Sequence, residues 1–389
     1  MSKRARARDC GITIGQLPTG PLNAITDVAG LCVGHVTLIQ GQGPLVPGVG
    51  PVRTGVTAIL PHSGDVFTDK VAAAIHRLNG FGEVTGASQV REMGVIESPI
   101  LLTGSFNVGH AMDGALEWAM AKDPQIGITT WGPNPVVAEC SDSYLSDVRG
   151  RAVKTEHVLA AIETARPGPV AEGGVGGGTG MSCCEFKGGI GTSSRRLPAV
   201  TGSYTLGALV MSNFGRREHL VIDGVPVGRE LLDWEPVDPV ESLQDLGTSI
   251  IIVLATDAPL DPRQLDRLCL RAGAGLARAG GLYSSSSGDF VIAFSTRNRV
   301  PHHAAGPVQQ HLVPESMRAG ERWPGAVVIN DLFQAAAEAT EEAILNSLFS
   351  AETMVGRDGH VRHAIPIDEV VRILHQYGRP AARLPNPIG

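Results

Sequence analysis

The sequence predicts an α+β sandwich with helices packed outside stacked sheets. Candidate strands, helices, strands and helices follow one another without the strict alternation that builds a parallel α/β sheet. A continuous β-branched block, residues 250–255, runs from a loop with small hydroxyl residues to an Asp-Ala-Pro stop at 257–259, which marks a buried strand. Of the 389 residues, 43% are apolar and 18% charged, ample material for a core and no sign of disorder.

Taken in order, β-branched density predicts short strands at residues 25–28, 31–39 and 55–60, the last two joined by a Gly/Pro loop over 41–51. Residues 71–78 and 109–121 read as helices, because Ala, Leu and Met recur at spacings of three and four. A short strand is expected at 100–102, and an amphipathic helix over 155–165 is stopped by Pro167-Gly168. The glycine run 173–180 lacks the Gly-Lys-Ser/Thr ending of a phosphate cradle, and no βαβ unit with a ribose-binding acid surrounds it. Its expected role is backbone at close quarters or with positive φ. Residues 182–186 and 206–212 read as strands, and 221–246, with Pro236 and Pro239, as a surface excursion. Beyond the β-branched block, Asp261 and Pro262 open a helix whose stripe is Leu265, Leu268, Cys269, Ala272 and Leu276, and Gly280 closes it. A strand at 290–294 and helices over 331–349 and 368–375 complete the chain, which has no internal repeat.

Net charge of −7 argues against a general binder of nucleic acid or anionic membranes. The basic start, residues 3–8, reads as a short solvated tail rather than a secretory signal, since no apolar stretch follows it. No run reaches the roughly 18 apolar residues of a membrane span. Cys10, Cys32, Cys140, Cys183, Cys184 and Cys269 form no C-x-x-C pair and lie in mostly apolar or glycine-rich settings, so buried reduced thiols in a cytoplasmic protein are expected. The histidines, His302-His303 and His311 among them, show no metal-ligand spacing, and no Gly-x-Ser-x-Gly elbow presents a conventional serine nucleophile. Neither metal nor cofactor is expected.

The reactive stretch is the β-branched block itself. Ser249 opens that strand, and Ser287-Gly288-Asp289 opens the strand at 290–294. In extended backbone, positions 287 and 289 point to one side. The segments SIIIVLATDAPL (249–260) and SGD (287–289), with PLNAITDV (21–28), RTGVTAI (53–59), AEGGVGGGTGM (171–181) and DLFQAAAEATEEAI (331–344), resemble the DmpA-like aminopeptidases. That family comprises L-aminopeptidase/D-esterase and β-peptidyl aminopeptidase enzymes, peptidase family S58. The likeness runs over roughly residues 10 to 378, and several long blocks in one order are more specific than any short motif. It implies a single catalytic domain of four αββα layers, like N-terminal-nucleophile hydrolases in layout but of different connectivity, and a homo-oligomer, usually a tetramer.

On residue type alone, Ser249 is an ordinary serine opening a strand. The chemical alternative is attack by its hydroxyl on the Thr248 carbonyl, followed by hydrolysis of the ester so formed. That leaves a free α-amine on Ser249 with a pKa of about 7.7–8.0, able to take the hydroxyl proton. The resemblance places the family's processed serine here and implies an α chain 1–248 and a β chain 249–389. It matches Ser287 and Asp289 to the family's second serine and acid, which hold the ammonium or relay a proton, although Ser-Gly-Asp is also common turn chemistry. It assigns the Asn213 amide to the oxyanion and Glu139 to the ammonium of the substrate, where composition alone gives a turn asparagine and a solvated loop acid. The family tyrosine two residues beyond that glutamate is Ser141 here, with Tyr144 close by. The expected activity is hydrolysis of N-terminal amide or ester bonds in small peptides, amino-acid amides and β-peptides. Two alternatives stay open: an endo-acting amidase on ω-amino-acid oligomers such as nylon fragments, with Thr248 as nucleophile, and a non-catalytic binding protein that kept the fold.

Overall fold

The computed structural model describes residues 4–234, 236, 248–304, 306–310, 312–313 and 328–380. Residues 235 and 237–246 of the expected excursion, and His311, lie outside them. The strands are β1 (Cys32–Gln40), β2 (Val52–Leu60), β3 (Asp69–Gly80), β4 (Val95–Ile96), β5 (Ile100–Gly104), β6 (Val136–Cys140) and β7 (Ser182–Cys183). They continue with β8 (Phe186–Lys187), β9 (Gly189–Arg196), β10 (Thr205–Phe214), β11 (Thr248–Thr256), β12 (Gly288–Pro301), β13 (Met354–Val355) and β14 (Val361–Arg362). The helices are α1 (Ala87–Met93), α2 (Val108–Lys122), α3 (Thr155–Glu163), α4 (Val227–Glu230), α5 (Pro262–Arg278), α6 (Val328–Phe349) and α7 (Ile367–Gln376).

Two sheets stack face to face. One has the order β1-β2-β5-β6, the other β4-β3-β12-β11-β10-β9. Strand alternation sorts the side chains into layers. In β11, Ile251 and Val253 enter the core between the sheets, while Ile250, Ile252 and Leu254 enter the core shared with α5 and α6. A third core joins Val56, Leu101 and Val137 to Trp118 of α2 and Ile162 of α3. The result is the four-layer αββα sandwich, and β11 is central because it feeds two cores at once. Each fully buried Ile on it contributes about 1.5–3 kcal/mol.

The cap of α5 forms as its sequence dictates: the Gln264 amide donates to Asp261 Oδ1 at 2.6 Å. The glycine run is the wedge between the sheets. A Cβ on Gly177 would stand 2.6 Å from Leu102 O of β5, and one on Gly178 would stand 2.5 Å from Ile190 N of β9. Only bare backbone fits there.

Four sequence expectations are corrected. Residues 71–78 are not a helix but the middle of β3, where Ala72 and Ala74 face the α5/α6 core and Val71 and Ala73 face the inter-sheet core. Two-sided burial in a sheet overrides alanine's helical preference. Residues 182–186 are not one strand: Cys184 and Glu185 take φ of 49° and 62° and turn the chain between β7 and β8. Residues 25–27 form a 3₁₀ turn. The basic start is anchored rather than solvated, since Arg8 Nε lies 2.7 Å from the buried Glu342 and Arg4 donates to Phe349 O and Ile365 O.

Candidate active site

The first residues of β11 and β12 lie side by side at one end of the six-stranded sheet. Asn213 of β10 is the register partner of Ser249, and Phe214 that of Thr248. On the other flank Ile250 pairs with Asp289. Ser249 is buried, and its Oγ accepts a hydrogen bond from the Gly288 amide at 3.2 Å. The strand register thus brings Ser249, Asn213, Ser287 and Asp289 to one end of the sheet, with Ser249 lining one cavity and Ser287 and Asp289 another.

Ser287 Oγ donates to Asp289 Oδ1 at 2.6 Å, the one-sided geometry that extended backbone imposes at i and i+2. Asp289 is 1% exposed, and its Oδ2 has no hydrogen-bond partner. Burial pushes its carboxyl up to about 6, against the pull of the Ser287 hydroxyl and the Ile250 amide. A buried carboxylate with one oxygen unbonded is costly until a partner is supplied.

Asn213 is clamped in place. Its Oδ1 accepts from Ser182 N at 2.8 Å and its Nδ2 donates to Ser141 O at 2.9 Å. A primary amide carries two N–H donors, so one remains for another acceptor.

Glu139 is not a solvated loop acid. It sits in β6, 8% exposed, where Oε1 accepts from Glu83 N at 3.1 Å and Oε2 from Ser105 Oγ. Burial raises its carboxyl above the usual range, and those two donors draw it partly back. Ser249 and Glu139 line the same pocket, of about 340 Å³, with Gly80, Phe81, Gly82, Ser105 and Ser141. The two sheets contribute opposite walls of that mouth: Ser249 and Gly80 from one, Ser105, Glu139 and Ser141 from the other.

Ser105, Phe81 and Gly82 were not singled out from sequence. Ser105 follows a strand end in the sequence, an ordinary position, and only the fold turns its hydroxyl onto Glu139. Asn79, also unforeseen, fixes the loop before β12 by donating to Ser284 O and Ser287 O. Tyr144 stays off this pocket: its ring stacks on His360 at 4.5 Å and lies under Arg362 at 3.5 Å. Ser141 is the pocket residue there. Of the noted histidines, His302 Nδ1 meets Lys70 Nζ at 2.9 Å, away from the site. No described helix is long and apolar enough to cross a membrane, and all six cysteines are buried and unpaired.

Comparison with known proteins agrees over nearly the whole chain. The model of peptidase family S58 matches residues 23–362. The β-peptidyl aminopeptidase BapA of Sphingosinicella xenopeptidilytica is 43% identical over 382 residues, covering 95% of this chain and 90% of that one. Among solved structures, the PH0078 protein of Pyrococcus horikoshii OT3 superposes with a TM-score of 0.89 at 50% identity, covering 97% of this chain and 100% of that one. The L-aminopeptidase D-Ala-esterase/amidase of Ochrobactrum anthropi, described as a prototype serine aminopeptidase and a variant of the Ntn-hydrolase fold, gives 0.86 at 39% identity, covering 96% of this chain and 99% of that one.

Proposed function

The chain belongs to peptidase family S58, and we propose that it is an aminopeptidase that first cuts its own Thr248–Ser249 bond and then uses Ser249 as nucleophile. The carrying observation is that Ser249 shares one pocket with Glu139 while its neighbour Gly288 links it to the Ser287–Asp289 pair.

In the first reaction Ser249 Oγ adds to the Thr248 carbonyl carbon, the C–N bond to Ser249 breaks, and the nitrogen takes a proton. Water then opens the ester, leaving the Thr248 carboxylate on an α chain 1–248 and a free hydroxyl and α-amine on a β chain 249–389. The new amine lies one residue before Ile250, the register partner of Asp289, whose unbonded Oδ2 is the counter-charge this reading gives the ammonium. In the second reaction the neutral amine accepts the Ser249 hydroxyl proton as Oγ attacks the substrate carbonyl. The remaining Asn213 N–H serves the developing oxyanion, a donor worth on the order of 10²–10³ in rate. Glu139 holds the substrate ammonium, which restricts attack to the first amide of the chain. The leaving amine takes the proton back, and water releases the acyl group from Ser249.

Substrates on this reading are small peptides, amino-acid amides and esters, and β-peptides. Buried thiols are consistent with a cytoplasmic site of action, and a homo-oligomer is the expected assembly. Intact mass and N-terminal sequencing of purified protein test the proposal. The wild type should give two fragments, the smaller beginning with Ser249, and Ser249→Ala one chain. A smaller fragment beginning with Thr248 moves the nucleophile to that residue. Fragments from Ser249→Ala refute the assignment, and one uncut wild-type band with no amide hydrolysis leaves a binding protein.

A further inference from the structure

The pocket of Ser249 and Glu139 is not the only cavity at this end of the molecule. A groove of about 740 Å³ runs along β3, floored by Ala73 to Arg77 and walled by α1 and the first turn of α5. Gly80 and Gly82 line both cavities, so the groove opens into the pocket at the C-terminal end of β3. Its other end is shut, because Gly94 packs so tightly on Pro262 that a Cβ would stand 2.4 Å from Pro262 Cγ.

The floor is an unpaired sheet edge. β4 covers only Val71 and Ala72 of β3, and the Ala73 amide donates to Gly94 O at 2.8 Å. Beyond Ala73 no described strand flanks β3 on that side. Antiparallel ladders send the backbone groups of alternate residues to the same edge, so Ile75 and Arg77 present theirs to the groove. An edge this long is normally covered or blunted. Here it is left open beside a candidate catalytic pocket. The lining is also biased in charge. Arg77, Arg91 and Arg263 line the groove, with Arg91 late in α1 and Arg263 next to Pro262 at the shut end. Of the two acids, Asp266 is already 2.9 Å from His76 Nδ1, and Glu83 is at the open end.

Building on the reading of Ser249 as nucleophile and Glu139 as amine anchor, we propose that this groove takes the leaving half of an extended peptide substrate as an added antiparallel strand, its terminal carboxylate facing Arg91. The direction follows from the two ends: the substrate amine is fixed in the pocket beside Gly80, so the rest of the peptide runs back along β3 towards Ala73. That distance is roughly 23 Å at strand rise, enough for a leaving segment of about four to six residues. Main-chain pairing supplies affinity without demanding particular side chains.

The experiment compares kcat/KM for one hexapeptide as free acid and as C-terminal amide, on the same preparation, with an aminoacyl p-nitroanilide as control. In the wild type the acid should be preferred about tenfold. Arg91→Glu should bring the acid-to-amide ratio to one or below, and Arg91→Lys should keep most of it. A ratio taken on one sample does not depend on how much of a variant is folded. A scan of single N-methyl groups along the leaving segment should alternate between tolerated and damaging positions. Equal rates for acid and amide, or a flat scan, overturn the groove assignment while anilide hydrolysis leaves the Ser249 reading intact. Absence of anilide hydrolysis overturns that reading instead. If Arg91→Glu changes the number of subunits on size exclusion, the groove is a contact between copies and the proposal fails.

Discussion

Asp289 should destabilise the uncut chain, and by an amount the structure lets one work out. Its carboxyl is raised from 3.8 to about 6, with burial as the largest cause. Between those values the folded protein holds a proton that the unfolded chain has released. Stability therefore falls as pH rises through the window, and the loss is complete above about 6. Roughly two pKa units at 1.36 kcal/mol each make this on the order of 3 kcal/mol. Asn cannot titrate, so Asp289→Asn escapes the loss. The background for the test is Ser249→Ala, which keeps the chain whole and removes any contribution from a liberated amine. Urea unfolding of that chain with and without Asp289→Asn, at pH 3.5 and pH 8, gives four midpoints. The asparagine chain should gain on the aspartate chain by about 3 kcal/mol between the two pH values. Taking the difference across pH cancels the altered hydrogen bond from Ser287, which is present or absent at both. A gap that stays the same within about 0.5 kcal/mol would mean that the carboxylate already has a counter-charge before cleavage, and the argument for a seat awaiting the Ser249 ammonium would collapse.

Two further substitutions separate binding from chemistry. Asn213→Ala should lower kcat of the processed enzyme by about 10²–10³ and, by stripping partners from Ser182 N and Ser141 O, lower stability by about 2 kcal/mol; a kcat within fivefold of wild type per processed subunit would exclude the oxyanion role. Glu139→Gln should raise KM for free-amine peptides at least tenfold with a smaller change in kcat, and because burial raises that carboxyl, wild-type KM should climb as pH falls through its titration; equal KM values in steady-state assays of the two proteins would remove the amine-anchor role.

The sequence disclosed those parts of the fold whose signal is local. The β-branched run of β11, the Asp261-Pro262 start of α5 and its apolar stripe each carry their own instructions. β3 does not: Ala-Ala-Ala-Ile reads as helix until the partners on both faces are known. β9 escaped notice because Gly-Ile-Gly-Thr-Ser-Ser has almost no apolar content, and its small residues are what allow α6 to approach, with a Cβ on Gly191 only 2.0 Å from Ala343 O. At the site, the pairing of Ser287 with Asp289 followed from strand period alone. That Glu139 reaches the same pocket did not, since it depends on how two sheets stack. Ser105 and Gly82 matter only through that stacking, which is why nothing in their surroundings along the chain marked them.

Strand alternation places the two ends of the proposed machinery on opposite sides of one sheet. Ser249 opens to the mouth between the sheets with Glu139, whereas Asp289 lines a separate cavity with Leu276 and Tyr283 on the α5 side. A bound peptide would meet the hydroxyl without ever meeting the acid behind it. On the proposed mechanism a single layer of main chain separates the tuning of the base from the choice of substrate, so substitutions at the front of this centre would leave its rear at the same electrical setting.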